Sequence, residues 1–320
     1  MEKMNTLGKS NLKVPRMGIG AMTWGSPKGL ARLQPAQTAY GPSAGIEEER
    51  RAMEVSLAAG VNLFDTAAMY SIGAAELRLG ELAHGRDVLI ATKFPSGFFF
   101  KADDLPEQLK GNLARLGRDS IELYQHHFPT SGVSIPRLME LLADAVEAHK
   151  IKAVGVSNYS AAQMREAHAA LAKRGIPLAS NQVEYSLVHR QPEMNGVLDA
   201  CRELGITLIA QSPLGMGMLT GKYSAQNRAG GFFRRILPNF NRKAMQAVQP
   251  LIQLLREIGE RYSKTPAQVA LRWLLENPVV LPIPGAKESK QAAQNVGALS
   301  FSLTPQEVES LNQASLAWRK

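Results

Sequence analysis

Four side chains that can hold, orient or transfer a proton follow apolar runs of the sequence. Asp65 and Tyr70 follow the run VNLF, Lys93 ends the run DVLIATK, and His127 ends the run SIELYQHH. A phenol is a weak acid unless its anion is stabilised, and a neighbouring ammonium group supplies that stabilisation. The four residue types together therefore suit general acid–base chemistry. Taken alone, the first run is explained equally well by a turn-forming Asp and a packed Tyr.

The elements that would position these residues follow from the pattern of apolar residues. The three runs have the composition of buried parallel strands, predicted at 61–65, 87–93 and 121–127, and a helical pattern follows each one. In a closed parallel barrel, the carboxyl ends of the strands lie on one face, where such barrels carry out their chemistry. We therefore expect the four side chains to share a site. His126 alternates with His127 and is expected to point outward, into the barrel wall.

The alternation of strands and helices extends over residues 1–320. After a hairpin at 6–14, the further strands are predicted at 16–22, 151–157, 178–183, 206–211 and 279–283. Helices are predicted at 47–59, 74–83, 105–116, 136–149, 161–173, 194–204, 244–262, 266–276, 288–297 and 305–317. Eight strands that alternate with helices, without a linker-like break, predict a single α/β domain. Its expected architecture is a (β/α)8 TIM barrel with an N-terminal β-hairpin cap and extra C-terminal helices.

Composition and charge argue against several classes of protein. The net charge of +9 comes mostly from scattered residues, and basic residues interleave with aromatics only from Phe232 to Lys243, so no nucleic-acid partner is expected. The sequence has no apolar run of about 18 residues, so no membrane span is expected. The histidines lack paired ligand spacing, and no metal site is expected. The single cysteine, Cys201, fits a reducing compartment. We expect a cytoplasmic protein, although an organellar address removed earlier is compatible with the sequence.

The spacing DTAxxY, the lysine of the following strand and the strand end LYxxHxP resemble the active-site signatures of the aldo-keto reductases. The resemblance runs from the opening hairpin to the segment IPGAK near the C-terminal end. It implies a (β/α)8 barrel that carries out nicotinamide-dependent reduction of aldehydes or ketones. It places Asp65, Tyr70, Lys93 and His127 at the family's catalytic positions, and these four residues are called the tetrad below.

The resemblance also implies a role for each member of the tetrad. Tyr70 would donate a proton to the developing alkoxide, and Lys93 would lower the pKa of that phenol. Asp65 would pair with Lys93 and hold it in place, whereas His127 would orient the substrate oxygen. Trp24, Tyr70 and His127 are the implied substrate contacts.

A cofactor, NADPH, is implied in the same way. The residues implied to contact it are Gly20, Ala21, Met22, Asp65, Ser157, Asn158, Gln182, Gln211, Ser212, Pro213, Leu214, Gly215, Gly217, Lys222, Pro284, Gly285, Lys287, Gln291, Gln294 and Asn295. Ser157, Asn158 and Gln182 would bind the nicotinamide carboxamide, and the glycine-rich segment after Gln211 would lie against the pyrophosphate. Ser157 and Asn158 could instead cap the following helix, for which Ser160 is at least as good a candidate.

Two positions depart from the family pattern. Gln211 stands where the family often has a tyrosine that stacks on the nicotinamide, and Gln291 stands where it often has an arginine. Lys287, Lys290 and the first N–H groups of the predicted helix 288–297 would still attract a 2′-phosphate. A moderate preference for NADPH over NADH is therefore expected.

Several properties are not encoded by a readable motif. The long segments 27–45 and 224–241 are expected to border the substrate opening and the cofactor, and the second could equally be a solvated basic loop. We expect a small carbonyl compound as substrate and slightly favour a monomer. An alternative from another functional class is a cofactor-binding regulatory subunit of the same fold, with little or no turnover.

Overall fold

The computed structural model describes residues 4–26, 39–95, 97, 100–130, 133–224, 226–227 and 240–319. Segments predicted to border the opening, at 27–38 and 228–239, therefore lie outside the described residues. The described strands are β1 (Asn5–Thr6), β2 (Lys13–Val14), β3 (Ile19–Gly20), β4 (Leu63–Asp65), β5 (Leu89–Phe94), β6 (Ile121–His126), β7 (Ile151–Ser157), β8 (Leu178–Glu184), β9 (Thr207–Gln211) and β10 (Val280–Pro282).

Strands β3 to β10 form one parallel sheet in which neighbours in the chain are neighbours in space. The first and last strands also meet, because Gly20 bridges Gly285 in parallel register and the Gly18 N–H donates to the Pro282 carbonyl at 3.0 Å. These contacts close the sheet into the predicted (β/α)8 barrel, and β1 pairs with β2 as the predicted hairpin.

Helices cover the outside of the sheet. The described helices are α1 (Ile46–Ala58), α2 (Ala74–Ala83), α3 (Leu105–Leu116), α4 (Ile135–Glu147), α5 (Ala161–Ala172), α6 (Val197–Leu204), α7 (Arg242–Ala247), α8 (Gln249–Tyr262), α9 (Pro266–Leu275), α10 (Ser289–Val296) and α11 (Pro305–Ala314). Helices α9 and α11 begin at prolines that follow threonine caps, Thr265 and Thr304. Proline suits the first turn because its missing N–H would have no helical partner there.

Some predicted boundaries were wrong, and local chemistry explains the clearest case. The predicted helix 244–262 is divided into α7 and α8, because Pro250 in the first turn of α8 has no N–H to continue the hydrogen-bond ladder. The first barrel strand is shorter than predicted, and only Ile19–Gly20 pair in the sheet. Helix α6 begins at Val197, whereas the predicted helix began at residue 194, and a turn of 3-10 helix at Gln191–Glu193 precedes it.

The barrel interior changes in character from one end to the other. Leu7 and Val14 of the hairpin plug the lower end and pack against inward residues of the strands, among them Leu63 and Leu123. Two residues further along β4, at the carboxyl end, the inward residue is Asp65. Because inward positions recur every second residue, one strand supplies both an apolar side chain to the lower layer of the barrel and a polar side chain to the upper layer.

Candidate active site

A buried ion pair lies at the centre of the polar upper layer. Lys93 Nζ donates to Asp65 Oδ1 at 2.6 Å and to the Thr66 carbonyl at 2.9 Å. The Lys93 side chain is fully buried, and Asp65 is 4% exposed. Strands β4 and β5 are adjacent and parallel, so their inward-facing ends bring the two charges together. The ammonium group is therefore held in one position.

Tyr70 contacts the Lys93 ammonium group of this pair. The Lys93 ammonium lies 3.5 Å from the Tyr70 hydroxyl oxygen, to which it donates, and 5.1 Å from the centre of the ring. Burial raises the pKa of Tyr70, while the Lys93 charge acts to lower it. Burial acts to lower the pKa of Lys93, but Asp65 and Tyr70 outweigh it and the net direction is upward. Lys93 thus stays charged and Tyr70 stays protonated at neutral pH.

The turn that carries Tyr70 has an uncommon backbone. Ser71 and Ile72, which follow Tyr70, both have a φ of 52°, and Gly73 has a φ of 82°. A left-handed conformation is strained for a β-branched residue such as Ile72. The φ of Gly73 favours glycine, and a Cβ there would also lie 2.7 Å from the Cδ of Arg115.

Charges behind this turn hold it against the barrel wall. Arg115 Nε donates to Glu76 Oε2 at 2.7 Å, and the other oxygen of this fully buried carboxylate accepts hydrogen bonds from Thr92 and Asn112. Because Glu76 lies in the first turn of α2, this network connects the Tyr70 turn to the strand that carries Lys93.

His127 lies beside Tyr70 as a neutral ring. The two rings meet edge to face with their centres 5.7 Å apart, and Phe128 stacks on the imidazole at 4.6 Å. Burial, helped by the nearby Lys93 charge, lowers the pKa of His127 to about 3. Its Nδ1 has no hydrogen-bond partner among the described residues. A neutral imidazole of this kind can donate a hydrogen bond to a substrate oxygen without carrying a charge.

His126 points the other way, as the strand alternation predicts. Its Nδ1 lies 2.7 Å from the Tyr159 hydroxyl, and its ring packs against Phe94 in the layer between sheet and helices. Burial lowers the pKa of His126 to about 4. This histidine thus belongs to the barrel wall.

The second carboxylate oxygen of Asp65 accepts hydrogen bonds from two side-chain amides. Oδ2 accepts from Gln182 Nε2 at 2.9 Å and from Gln125 Nε2 at 3.3 Å. Since a carboxylate only accepts, the Gln182 amide nitrogen must face Asp65, which leaves its buried Oε1 without a partner among the described residues. Gln182 lines the cleft described below. Its free acceptor suits an amide N–H group, as a nicotinamide carboxamide presents. Gln125 was not predicted, although its inward register in β6, two residues before His127, could have indicated it.

The side chains of Ser157 and Asn158 form hydrogen bonds with neighbouring protein groups. Ser157 Oγ donates to the Gln182 carbonyl at 2.9 Å, and Asn158 Nδ2 donates to the His127 carbonyl at 3.0 Å. Asn158 Oδ1 accepts from Gln211 Nε2 at 3.2 Å, with the Asn158 backbone at a φ of 61°. Ser160 is the N-cap of α5, so the alternative in which Ser157 and Asn158 cap that helix is wrong.

A cleft of about 390 Å³ runs from Asp65 and Tyr70 to α10. The predicted residues that line it are Gly20, Met22, Asp65, Tyr70, Gln182, Gln211, Ser212, Pro213, Leu214, Gly217, Lys222, Pro284, Gly285, Lys287, Gln291, Gln294 and Asn295. Tyr40 also lines it and belongs to the segment 27–45, which was expected to border the opening. Residues that the sequence did not indicate are Thr23, Met216, Thr220, Tyr223, Ala267 and Ile283. Thr23, Met216 and Ile283 lie next to or between predicted positions, so continuity along the chain could have identified them. The volume suits a small-molecule ligand.

Some predicted residues lie away from the cleft surface. Trp24 is fully buried, donates from Nε1 to the Ala286 carbonyl at 2.8 Å and packs against Phe64, so it contributes to the core instead of the predicted substrate pocket. Ala21 is buried, and its N–H donates to the Asp65 carbonyl at 2.8 Å. Gly215 is buried in the turn behind the lining residues. These three positions support the cleft from behind.

The glycine-rich segment after β9 forms one wall of the cleft. Gly215–Thr220 is a 3-10 helix interrupted at Met216, with a φ of 54°, and at Gly217, with a φ of 98°. Ser212, just before it, has a φ of 49°. Left-handed residues close together in the sequence form a backbone turn of the kind that binds anions. In this turn the N–H groups of Gly215 and Gly217 donate to the Ser212 and Leu214 carbonyls.

The described residues offer neither a cluster of metal ligands nor a helix that could span a membrane. Within the described ranges, no group of three or more His, Cys, Asp or Glu side chains is arranged to hold a metal ion. Among the helices of those same ranges, none has the length and apolar character needed to cross a bilayer.

Comparison with known proteins agrees with this geometry. Residues 16–316 match the model of the aldo/keto reductase family. The chain is 35% identical over 312 residues to aldo-keto reductase str7 of Strobilurus tenacellus, covering 94% of this chain and 88% of that one. It is 35% identical to the chloroplastic pyridoxal reductase of Arabidopsis thaliana (95% and 84% covered) and 33% identical to the aldo-keto reductase yakc [NADP(+)] of Schizosaccharomyces pombe (95% and 89%).

The fold is likewise shared with solved structures. The thermostable aldo-keto reductase Tm1743, in complex with the inhibitor epalrestat, superposes with a TM-score of 0.75 at 26% identity, covering 98% of this chain and 99% of that one. Family match, relatives and fold agree over nearly the whole length. The chain therefore belongs to the aldo/keto reductase family of oxidoreductases.

Proposed function

We propose that this protein reduces small aldehydes or ketones to alcohols with NADPH, and that Tyr70 is the general acid. The observation that carries the proposal is the buried Asp65–Lys93 pair, whose ammonium lies 3.5 Å from the Tyr70 hydroxyl oxygen at a ligand-sized cleft. A lysine fixed beside a phenol stabilises the phenolate that forms when the phenol gives up its proton.

The residues of the cleft fit a nicotinamide dinucleotide. Gln182 Oε1, which has no hydrogen-bond partner among the described residues, would accept from the carboxamide, and the left-handed turn at Ser212 to Gly217 would lie beside the pyrophosphate. Lys287 and Lys222 add positive charge to the cleft wall. When bound, the nicotinamide supplies the hydride.

The protein's own groups would manage the proton and the substrate oxygen. Tyr70 holds the proton on its hydroxyl oxygen, and Lys93 remains an ammonium because Asp65 and Tyr70 keep its pKa raised. The neutral His127 would donate a hydrogen bond to the carbonyl oxygen and so set the direction of approach to Tyr70. The roles are divided: one group transfers the proton, one stabilises the anion and one orients the substrate.

The preference for NADPH is supported by Lys287 in the cleft wall and by the NADP(+) in the name of the S. pombe relative. For the substrate we propose a small carbonyl compound. Pyridoxal belongs in the test panel, because a relative of 35% identity is named pyridoxal reductase. We further propose a monomer in the cytoplasm, where the single buried thiol of Cys201 would remain reduced.

The proposal is tested by following oxidation of NADPH and of NADH against a panel of aldehydes, ketones and pyridoxal. Cofactor binding is measured in parallel by protein fluorescence. We expect turnover with at least one carbonyl class and loss of turnover in Tyr70→Phe with binding preserved. Tight binding without turnover over the whole panel would instead favour a cofactor-binding regulatory subunit.

A further inference from the structure

The start of α10 carries hydrogen-bond donors that would suit a phosphate, but these donors already bind a carboxylate of the protein. The Ser289 N–H and the Ser289 hydroxyl both donate to Glu48 Oε2, at 3.2 Å and 3.1 Å. Glu48 lies on α1, 241 residues away in the sequence. This contact therefore depends on the packing of α1 against α10 and could not be predicted locally.

The neighbouring donors are also engaged by protein groups. Lys287 Nζ donates to the Tyr40 carbonyl at 2.9 Å, and the Lys287 N–H donates to Gln291 Oε1 at 3.0 Å. Those two acceptors are neutral, whereas Glu48 is an anion. Hydrogen bonds, from Arg51 first and then from the Ser289 N–H, lower the pKa of Glu48, so this carboxylate is ionised at neutral pH.

The same turn borders the proposed cofactor cleft. Lys287, Gln291, Gln294 and Asn295 line the cleft, whose other wall contains Tyr70. With the nicotinamide beside Tyr70, the adenosine half of the dinucleotide is the part left to interact with α10. NADPH and NADH differ there by a single 2′-phosphate, which is strongly anionic.

We infer that Glu48 is a specificity-determining residue for the cofactor: its carboxylate competes with the 2′-phosphate for the donors of Ser289 and thereby weakens NADPH binding relative to NADH. The inference rests on the proposed binding of a nicotinamide dinucleotide in the cleft. A 2′-phosphate must displace or tolerate this negative charge, whereas the 2′-hydroxyl of NADH carries no charge and can donate to a carboxylate. Lys287 would favour NADPH, and Glu48 would reduce the size of that preference.

The test compares Glu48→Gln with Glu47→Gln. Glu47 is the adjacent residue of α1, pairs with Arg50 at 3.6 Å and has a 67% exposed side chain, so its variant makes the same charge change at a carboxylate that pairs away from Ser289. Dissociation constants of NADP+ and NAD+ are measured by fluorescence titration, without substrate. A second variant, Glu48→Lys, reverses the charge, and thermal unfolding verifies that each variant is folded.

We expect Glu48→Gln to tighten NADP+ binding about tenfold, because the carboxylate is partly exposed and its repulsion is screened by water. Glu48→Lys should tighten it further, NAD+ binding should not tighten in either variant, and Glu47→Gln should change neither affinity. The gain should shrink at high salt. If the unmutated protein binds both cofactors, two results would overturn the role of Glu48. One is an equal change in the affinities for NADP+ and NAD+, and the other is no change in either affinity in folded Glu48 variants. Failure of the unmutated protein to bind either cofactor would overturn the proposed function as well.

Discussion

Charged side chains at the two ends of the cleft differ in how far water reaches them. At the tetrad end, Lys93 is fully buried and donates to Asp65 at 2.6 Å. At the α10 end, the Glu48 side chain is 32% exposed, and Lys287 is only half-buried. Charges interact strongly when water is excluded and weakly when water and salt can screen them.

Under the proposed function, this difference would separate proton transfer from cofactor selectivity. Removing one partner of the buried pair leaves an uncompensated charge in a low dielectric, so both stability and reactivity should suffer. A change at the exposed end should alter only the balance between two cofactors.

The largest effect is expected for Lys93→Met, which leaves Asp65 buried without its cation. We expect the free energy of unfolding to fall by about 3–5 kcal/mol. The turnover number should fall by about 10²–10⁴-fold, because Tyr70 loses the charge that stabilises its anion. Denaturant unfolding and steady-state rates provide the measurements. The matched control is Lys110→Met, at a side chain that is 79% exposed. Equal stability of the two variants would contradict the contrast.

Tyr70→Phe should separate chemistry from folding. The change removes one hydroxyl and keeps the ring that packs against His127, so unfolding and cofactor affinity should stay near the unmutated values. The turnover number should fall by about 10²–10⁴-fold. Tyr262→Phe is the control, since that hydroxyl donates to Glu307 at 2.7 Å, away from the cleft. A Tyr70→Phe variant that keeps most of the activity would rule out the assigned proton donor.

Stability should fall with acid because two histidines are buried in neutral form. The pKa values of His126 and His127 are lowered to about 4 and about 3, from an ordinary value of 6.5. Between these values and 6.5 the unfolded chain binds more protons than the folded one, so stability is lost as the pH falls below 6.5. Each such histidine contributes a slope of about 1.4 kcal/mol per pH unit well inside that window.

Denaturant unfolding at pH 7, 6 and 5 provides the measurement. His126→Gln removes one of the two buried histidines and should reduce the dependence of stability on pH. His84→Gln removes a histidine at an exposed position and should leave that dependence unchanged. A His126→Gln variant with the full acid sensitivity of the unmutated protein would mean that other groups cause it.

Lys287→Ala should weaken NADP+ binding by about tenfold and spare NAD+, because a charge-assisted contact with the 2′-phosphate is lost in a partly screened position. The bond from Lys287 Nζ to the Tyr40 carbonyl shows that this ammonium has an alternative partner, which limits the effect. Fluorescence titration at low and high salt tests it, with Lys173→Ala at an exposed site as control. Equal weakening of both cofactors would place the phosphate elsewhere.

The smallest effect is expected for Gln211→Tyr. The substitution restores a ring that could stack on the nicotinamide, but it removes the hydrogen bond of 3.2 Å from Gln211 to Asn158. Cofactor affinity should be unchanged or slightly tighter. A large loss, measured by the same titration, would show that the Gln211–Asn158 contact orders the binding site.

Sequence patterns predicted the barrel and the tetrad because the evidence for them is local. Period-two and helical patterns identify strands and helices, and consecutive parallel strands place their ends on one face. Asp65, Tyr70, Lys93 and His127 each lie at or just beyond such an end, so no long-range information was needed to expect them together. The outward direction of His126 followed from the same alternation.

The tertiary structure decided which partners these residues meet. Gln125 and Gln182 share the second oxygen of Asp65, Trp24 turns into the core, and Glu48 reaches the start of α10 from α1. These outcomes depend on barrel closure and helix packing, which bring together residues far apart in the chain. Hydrogen-bond geometry and burial are properties of those long-range contacts. Sequence alone therefore determined where the reactive groups lie, and folding determined how they are paired and charged.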